Sequence, residues 1–205
     1  MPRRMPMLPS TVALALLALL ALLVVAQGAA ALEFEEEPTP IPQDDEGVQT
    51  GVAMAAGPAD ILYAVWEDGR WTQFQQGVAI VFAYSEPDQR GRDWSDEVRL
   101  PSGDARNDAT APAISVGPDG VLHVVWQELR VVDSDPGGPF WEVRYASSDD
   151  NGFTWESMRV SQPNNRNNTR PSVVGIADDS AYVAWDLEDH PGSSIALARI
   201  DQGSR

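Results

Sequence analysis

The sequence predicts an all-β fold, a partial β-propeller of about three four-stranded antiparallel blades with the last one incomplete. Three observations carry this. Landmarks recur every 59–61 residues along the chain. Each repeat breaks into short apolar runs separated by Gly, Pro, Asn and Asp, a strand-and-turn pattern. One run in each repeat is apolar on both faces, as a strand between packed sheets must be.

The repeat is read most easily from three segments: ILYAVWED from Ile61, VLHVVWQE from Val121 and SAYVAWDL from Ser180. Their tryptophans, Trp66, Trp126 and Trp185, are 60 and 59 residues apart. Gly57-Pro58 returns as Gly117-Pro118, and Pro112 and Pro171 each stand 14 residues before their tryptophan. Tyr84 and Tyr145 differ by 61, as do Trp94 and Trp155. In the second copy strand A is expected near Pro112–Val116, B over Val121–Gln127, C over Glu142–Ser147 and D over Trp155–Val160. Gly117-Pro118-Asp119-Gly120 is a strong turn signal between A and B. The blades then cover about 50–100, 101–160 and 161–205.

The ends and the charge bound the function. Arg3 and Arg4 precede an uncharged run from Val12 to Ala26, and small residues follow at Gly28 to Ala31. This pattern reads as a secretory signal peptide over 1–31, with an uncleaved membrane anchor as the rival. The run of about 15 residues is short of the ~20 that span a bilayer. There is no cysteine, so neither a disulfide nor a lipoprotein anchor is available. Residues 32–49 form an acidic, Pro-rich linker; from Glu33 to Gly47 seven of fifteen residues are acidic and three are proline. Such a segment buries too little apolar surface to offset its ordering entropy. The net charge of −17 makes nucleic acid and anionic membrane poor partners. All 14 basic residues are arginine.

Ser148-Asp149-Asp150-Asn151-Gly152-Phe153-Thr154-Trp155 fits S-x-D-x-G-x-T-W at each fixed position, Ser148, Asp150, Gly152, Thr154 and Trp155. It resembles the Asp-box, or bacterial neuraminidase repeat, of the sialidase superfamily. A degenerate copy at Ser85–Trp94 keeps Ser85, Gly91 and Trp94 with two residues inserted, and a third copy is expected at Arg199–Arg205. Asp150 can take up turn N–H groups, and Gly152 can supply the positive φ that closes the turn. These roles are structural, so no catalysis is assigned to the motif.

In an up-and-down blade the A–B and C–D turns share one face, which leaves the B–C loops and D–A connections on the other. Ligand-binding candidates on that second face are Arg106, Arg166 and Arg170, with Glu67, Asp68, Glu128 and Asp186 just after strand B. Arginine forks suit a sugar carboxylate. Trp71 and Trp141 do not repeat and could stack on a sugar ring. Charged loop residues are also common as plain solvated surface. His123 shares the slot of Tyr63 and Tyr182 and reads as packing, and His190 is a loop residue with no visible partner. Asp133 to Gly138 only faintly suggests a calcium loop, so no metal or cofactor is expected. Asn167-Asn168-Thr169 is a glycosylation sequon, meaningful only in a eukaryotic secretory path.

The resemblance implies an arginine triad and a tyrosine nucleophile if the protein were a sialidase. Sialidases also usually carry a Phe/Tyr-Arg-Ile-Pro motif, absent here, and no arginine lies between Arg4 and Arg70. Tyrosines at repeated positions argue against a unique nucleophile. The expected function is therefore an exported, non-catalytic repeat module, secreted or extracytoplasmic, that binds glycan or protein. The alternatives are an N-terminal fragment of an exo-sialidase or related glycoside hydrolase, and an extracytoplasmic scaffold. An open set of blades should expose apolar faces, around Tyr182, Ala184 and Ile195 at one end. That leads to self-association or to a chain continuing beyond this sequence, and the unfinished third blade favours the second.

Overall fold

The computed structural model describes residues 40–41, 47–70, 72, 76–104, 106–130, 139–163, 165–177, 179–189 and 192–201. The expected signal segment and most of the acidic linker, with Trp71, Asp133 to Gly138 and His190, lie outside these residues.

Eleven strands form three antiparallel sheets among the described residues. Blade 1 contains β1 (Gln49–Ala56), β2 (Leu62–Asp68), β3 (Ala79–Ser85) and β4 (Val98–Arg99), paired in that order. Blade 2 repeats this with β5 (Ala109–Val116), β6 (Leu122–Arg130), β7 (Phe140–Ser148) and β8 (Glu156–Arg159). Blade 3 has β9 (Asn168–Ile176), β10 (Ser180–Asp189) and β11 (Gly192–Asp201), with β10 in the middle. This is a partial β-propeller. The sequence pattern marks the apolar cores of the second blade's strands. The strands run further than that pattern, with Leu129 paired to Trp141 and Arg130 to Phe140 at the end of the β6–β7 ladder.

Burial on both faces of strand B stacks the blades. Leu122, Val124 and Trp126 of β6 pack with Tyr63, Val65, Ile80 and Phe82 of blade 1. Val125, with Val143 and Tyr145, turns the other way onto Ala181, Val183 and Trp185 of blade 3. Each of these residues is almost wholly buried. At about 25 cal/mol per Å² of apolar surface, such seams supply most of the stability of a domain without disulfides.

The first strand of each blade carries a bulge in the same place. In blades 1 and 2 the register jumps between Thr50 and Ala53 and between Thr110 and Ala113, so two residues oppose one tryptophan. In blade 3 the same irregularity lies opposite Trp185. The first bulge residue has positive φ each time: Gly51 at 62°, Ala111 at 52° and Arg170 at 52°. The second is Val52, Pro112 or Pro171, and proline suits a position that donates nothing to the ladder. The bulge leaves an amide unpaired within its own sheet. The preceding blade takes it up: the Ala111 N–H donates to Glu67 Oε1 and the Arg170 N–H to Gln127 Oε1, each at 2.9 Å. Thr50 Oγ1 donates to the other Glu67 oxygen at 3.1 Å, and Gln127 Nε2 donates to Thr110 Oγ1 at 3.0 Å, so each acceptor is held by its own blade.

The Ser148–Trp155 turn closes the other end. Ser148 Oγ donates to Asp150 Oδ1 at 2.7 Å and accepts the Gly152 N–H at 2.8 Å. Asp150 also accepts the Thr154 N–H at 2.9 Å and the Thr154 hydroxyl at 2.6 Å. Burial opposes ionisation of Asp150, but the Thr154 and Ser148 donors outweigh it and hold its pKa below the usual carboxylate value. Gly152 adopts φ 90°, and a Cβ there would lie 2.2 Å from the Phe82 ring of blade 1. Trp155 meets Phe82 edge-on at 5.1 Å. The degenerate turn keeps the same skeleton: the Gly91 N–H donates to Ser85 Oγ, and Trp94 Nε1 donates to Gly91 O as Trp155 Nε1 does to Gly152 O, all at 3.0 Å. The expected third copy is out of register. Ile200 stands across from Ala181 where Ser148 stands across from Leu122, so Asp201 does not take the place of Asp150. Residues 202–205 lie outside the described residues.

Asp150→Ala strands the Thr154 amide and hydroxyl. It is expected to lower the unfolding free energy by about 1–3 kcal/mol, read from the midpoint of urea unfolding. A midpoint equal to that of the parent would contradict the role assigned to this carboxylate.

Candidate functional site

The division of faces follows from the strand order and is visible in the contacts. Val121, Asp149, Thr154 and Asp179 line one small cleft, which brings the A–B and C–D turns together. The Asp179 N–H donates across the seam to Asp119 Oδ2 at 2.9 Å. The opposite face holds the ends of strands B, the starts of strands C and the D–A connections.

On that face several expected ligand-binding residues have internal partners. Asp68 is fully buried, accepts the Trp66 indole N–H at 3.3 Å and pairs with Arg70 at 2.7 Å. Arg70 also pairs with Glu97, and its pKa is raised, mainly by the hydrogen bond to Asp68. Glu128, also buried, accepts the Trp126 indole N–H at 3.3 Å, the Gly103 N–H at 3.0 Å and the Asn107 amide at 3.3 Å. In blade 3 Asn168 does this work, accepting the Trp185 indole N–H at 2.9 Å. A tryptophan whose ring is buried needs an acceptor for its N–H, and the residue two positions on supplies it in blades 1 and 2. Glu67 is the seam acceptor described above, and Asp186 holds the same place in blade 3, paired there with Arg170. These four carboxylates do not form one cluster; they serve the blades in turn.

The arginines are placed differently. Arg106 is largely exposed on the connection into blade 2, where it grips Asp104 at 2.7 Å. Its hydrogen bonds bring the Asp104 pKa down to about 2. Arg166 is exposed on the connection into blade 3. Arg170 is exposed on β9, as the first residue of the bulge. Trp141 is half-buried beside the Arg166 segment: its N–H donates to Asn167 Oδ1 at 3.1 Å, and its carbonyl accepts the Asn168 amide at 3.4 Å. That same amide donates to Arg166 O at 2.9 Å. The seam of blades 2 and 3 therefore brings the Trp141 backbone against the segment that carries Arg166. Asn167, the sequon asparagine, is held to Glu188 at 3.0 Å. Among the described residues no three acidic, His or Cys side chains gather as a metal site.

The tyrosine register needs a correction. Tyr145 stands across from Val125 as Phe82 does from Val65, so Tyr145 answers to Phe82, and the counterpart of Tyr84 is Ser147. The stretch from Trp126 to Tyr145 is three residues longer than that from Trp66 to Phe82, and Tyr145 stands two residues before Ser147, which together give the apparent 61-residue spacing. Tyr63, His123 and Tyr182 do share one slot. Tyr63 is buried, donates to Asn151 Oδ1 at 3.1 Å, and has its pKa raised by that burial, which suits a seam-packing residue.

No family model matches the sequence, and no curated protein matches it. Solved structures do. A protein of unknown function from Dyadobacter fermentans shares 15% identity at a TM-score of 0.60, over 82% of this chain and 51% of that one. An ulvan lyase of polysaccharide lyase family PL25 shares 11% at 0.54, over 73% and 41%. The Trypanosoma rangeli sialidase shares 10% at 0.50, over 78% and 30%. The fold is that of a partial, sialidase-like β-propeller. The chain spans about half or less of the length of these proteins. No helix among the described residues is long and apolar enough to cross a membrane.

Among the described residues His123 is the histidine that lies in a seam. It is fully buried, its Nδ1 meets the Tyr145 hydroxyl at 2.8 Å, and its Nε2 has no hydrogen-bond partner. Burial holds its pKa below the ordinary value, against the pull of Asp119 and Asp179. Above about pH 6.5 the ring is neutral in the folded and unfolded chain and adds no pH dependence. Below that, the unfolded chain takes the proton first, so stability falls as pH falls towards the depressed folded value. The urea midpoint is expected to drop between pH 7.5 and 5.5 in the parent and to drop distinctly less in His123→Gln. Equal drops in both proteins would contradict this.

Proposed function

We propose that the protein is an exported, non-catalytic propeller module that binds carbohydrate, and specifically an acidic glycan, on the face opposite the Ser148–Trp155 turn. The observation that carries the reading is the pair Arg166 and Trp141 at one seam, with Arg106 on the equivalent connection at the seam before it. Exposed guanidinium groups bind sugar carboxylates in a forked geometry, and the face of an indole on the neighbouring segment suits stacking on a sugar ring. The neighbours support the choice of ligand. The ulvan lyase was solved bound to -[GlcA(1-4)Rha3S]- and the trypanosomal enzyme in complex with sialic acid. Both ligands carry carboxylates.

The chain's net charge of −17 repels an anionic glycan at long range. That repulsion is screened over about 8 Å at physiological salt. Affinity therefore comes from short contacts to these arginines rather than from steering. The carboxylates Asp68, Glu128 and Glu67 are engaged in holding tryptophans and seams, which supports a binding role for this face over an acid–base one. We read the Ser148–Trp155 turn as an Asp-box with a purely structural role.

Calorimetric titration with glucuronate oligomers and sialyllactose, beside neutral oligosaccharides, is the test. An acidic ligand is expected to bind, with at least a tenfold loss of affinity in Arg106→Ala/Arg166→Ala and no turnover. Turnover of a fluorogenic sialoside, or binding that is indifferent to ligand charge and to both arginines, would contradict the reading.

A further inference from the structure

Blade 3 leaves open the face that blades 1 and 2 bury. Leu197 stands across from Ala184 as Phe82 does from Val65 and Tyr145 from Val125. Leu197 is 67% exposed, against 1% for Phe82 and 1% for Tyr145. Ile195 takes the place of Ile80 and Val143, and is 73% exposed against their 2% and 0%. Tyr182 takes the place of Tyr63 and His123, and only it of the three is exposed. An apolar surface of this kind marks an interface.

Blade 1 carries the other half of the same seam. Met54 holds the register position of Ile114 and Val173, which pack against the preceding blade, yet Met54 is exposed, as is Val52. Trp94 repeats Trp155, the residue that meets the Phe82 ring of the blade before it. Gly51 repeats the positive φ of Ala111 and Arg170, whose amides the preceding blade accepts. Ile41 already covers Trp66 at one end, so the open part of this face is β1 and the turn around Trp94.

We propose that the open face of blade 3 docks blade 1 of a second copy of this chain, head to tail. The occupant follows from the chain itself, which makes the same seam twice and holds both of its halves a third time. Asp186, at the position of Glu67 and Gln127, accepts the Gly51 N–H of the incoming copy while keeping its pair with Arg170. Trp94 packs on Leu197 as Trp155 does on Phe82. The contact is heterologous, joining two different surfaces, and a ring results when successive rotations complete a turn. Two copies supply six blades.

Size-exclusion chromatography with light scattering on the purified protein at micromolar concentration tests this, with two variants. The parent is expected to have the mass of a pair. Leu197→Asp and Met54→Asp are each expected to be monomeric, with circular dichroism spectra matching the parent because both side chains face solvent within one chain. Mixed together they are expected to pair again, since each retains the half that the other lacks. A monomeric parent would overturn the proposal, as would a Leu197→Asp protein that still pairs. A Met54→Asp protein that still pairs, beside a monomeric Leu197→Asp, would instead show two blade 3 faces meeting, and would overturn it equally.

Discussion

A bulge in the first strand of each blade creates an amide that its own sheet does not use, and in blades 2 and 3 the blade before supplies the acceptor. This exchange sets how the sheets stack. The bulge requires positive φ at Gly51, Ala111 and Arg170, a conformation that is strained for the last two. That strain persists because Glu67 and Gln127 bond the amides of Ala111 and Arg170 across the seam. Each such hydrogen bond contributes about 0.5–1.5 kcal/mol. Each seam thus has a polar lock at one end and, at the other, the Asp179 amide on Asp119 or the Tyr63 hydroxyl on Asn151.

Between these locks lies the apolar contact. Burial of strand B on both faces provides most of the energy but little direction, since apolar packing is non-directional. The polar locks and the close approaches at glycine provide the direction. Gly152 lies where a Cβ would strike Phe82, and Gly175 where one would lie 2.5 Å from the His123 ring. Small residues at these points let a turn or strand of one blade press against the next. The consequence for function is a rigid row of seams whose D–A connections, with Arg106 and Arg166, are held at regular intervals on the face away from the turns.

The fold was legible because the apolar runs, the tryptophans and the Gly-Pro turns all keep one register. The Ser148–Trp155 turn was legible as well, since each of its fixed residues has a local partner within seven positions. The site was less so. Asp68 and Glu128 look like ligand carboxylates in sequence because they end a strand near arginines. Only the structure shows the Trp66 and Trp126 indoles claiming them. The bulge left a signal that periodicity alone does not decode: Thr50, Thr110 and Thr169 recur at 60 and 59 residues, each followed by a residue of positive φ. Pro112 and Pro171 are its second residues, which gives those landmarks their physical meaning. Tyr145 was misaligned with Tyr84 because it stands two residues before the true counterpart, Ser147, in a blade whose strand C comes three residues later, and strand pairing is needed to separate the two.

Hydrogen exchange at the bulge amides tests the central claim most directly. In the parent, the Ala111 and Arg170 amides should exchange as slowly as the neighbouring ladder amides. In Gln127→Ala the Arg170 amide should exchange at least tenfold faster while Ala111, whose acceptor is Glu67, stays protected. Unchanged protection at Arg170 in that variant would contradict the account.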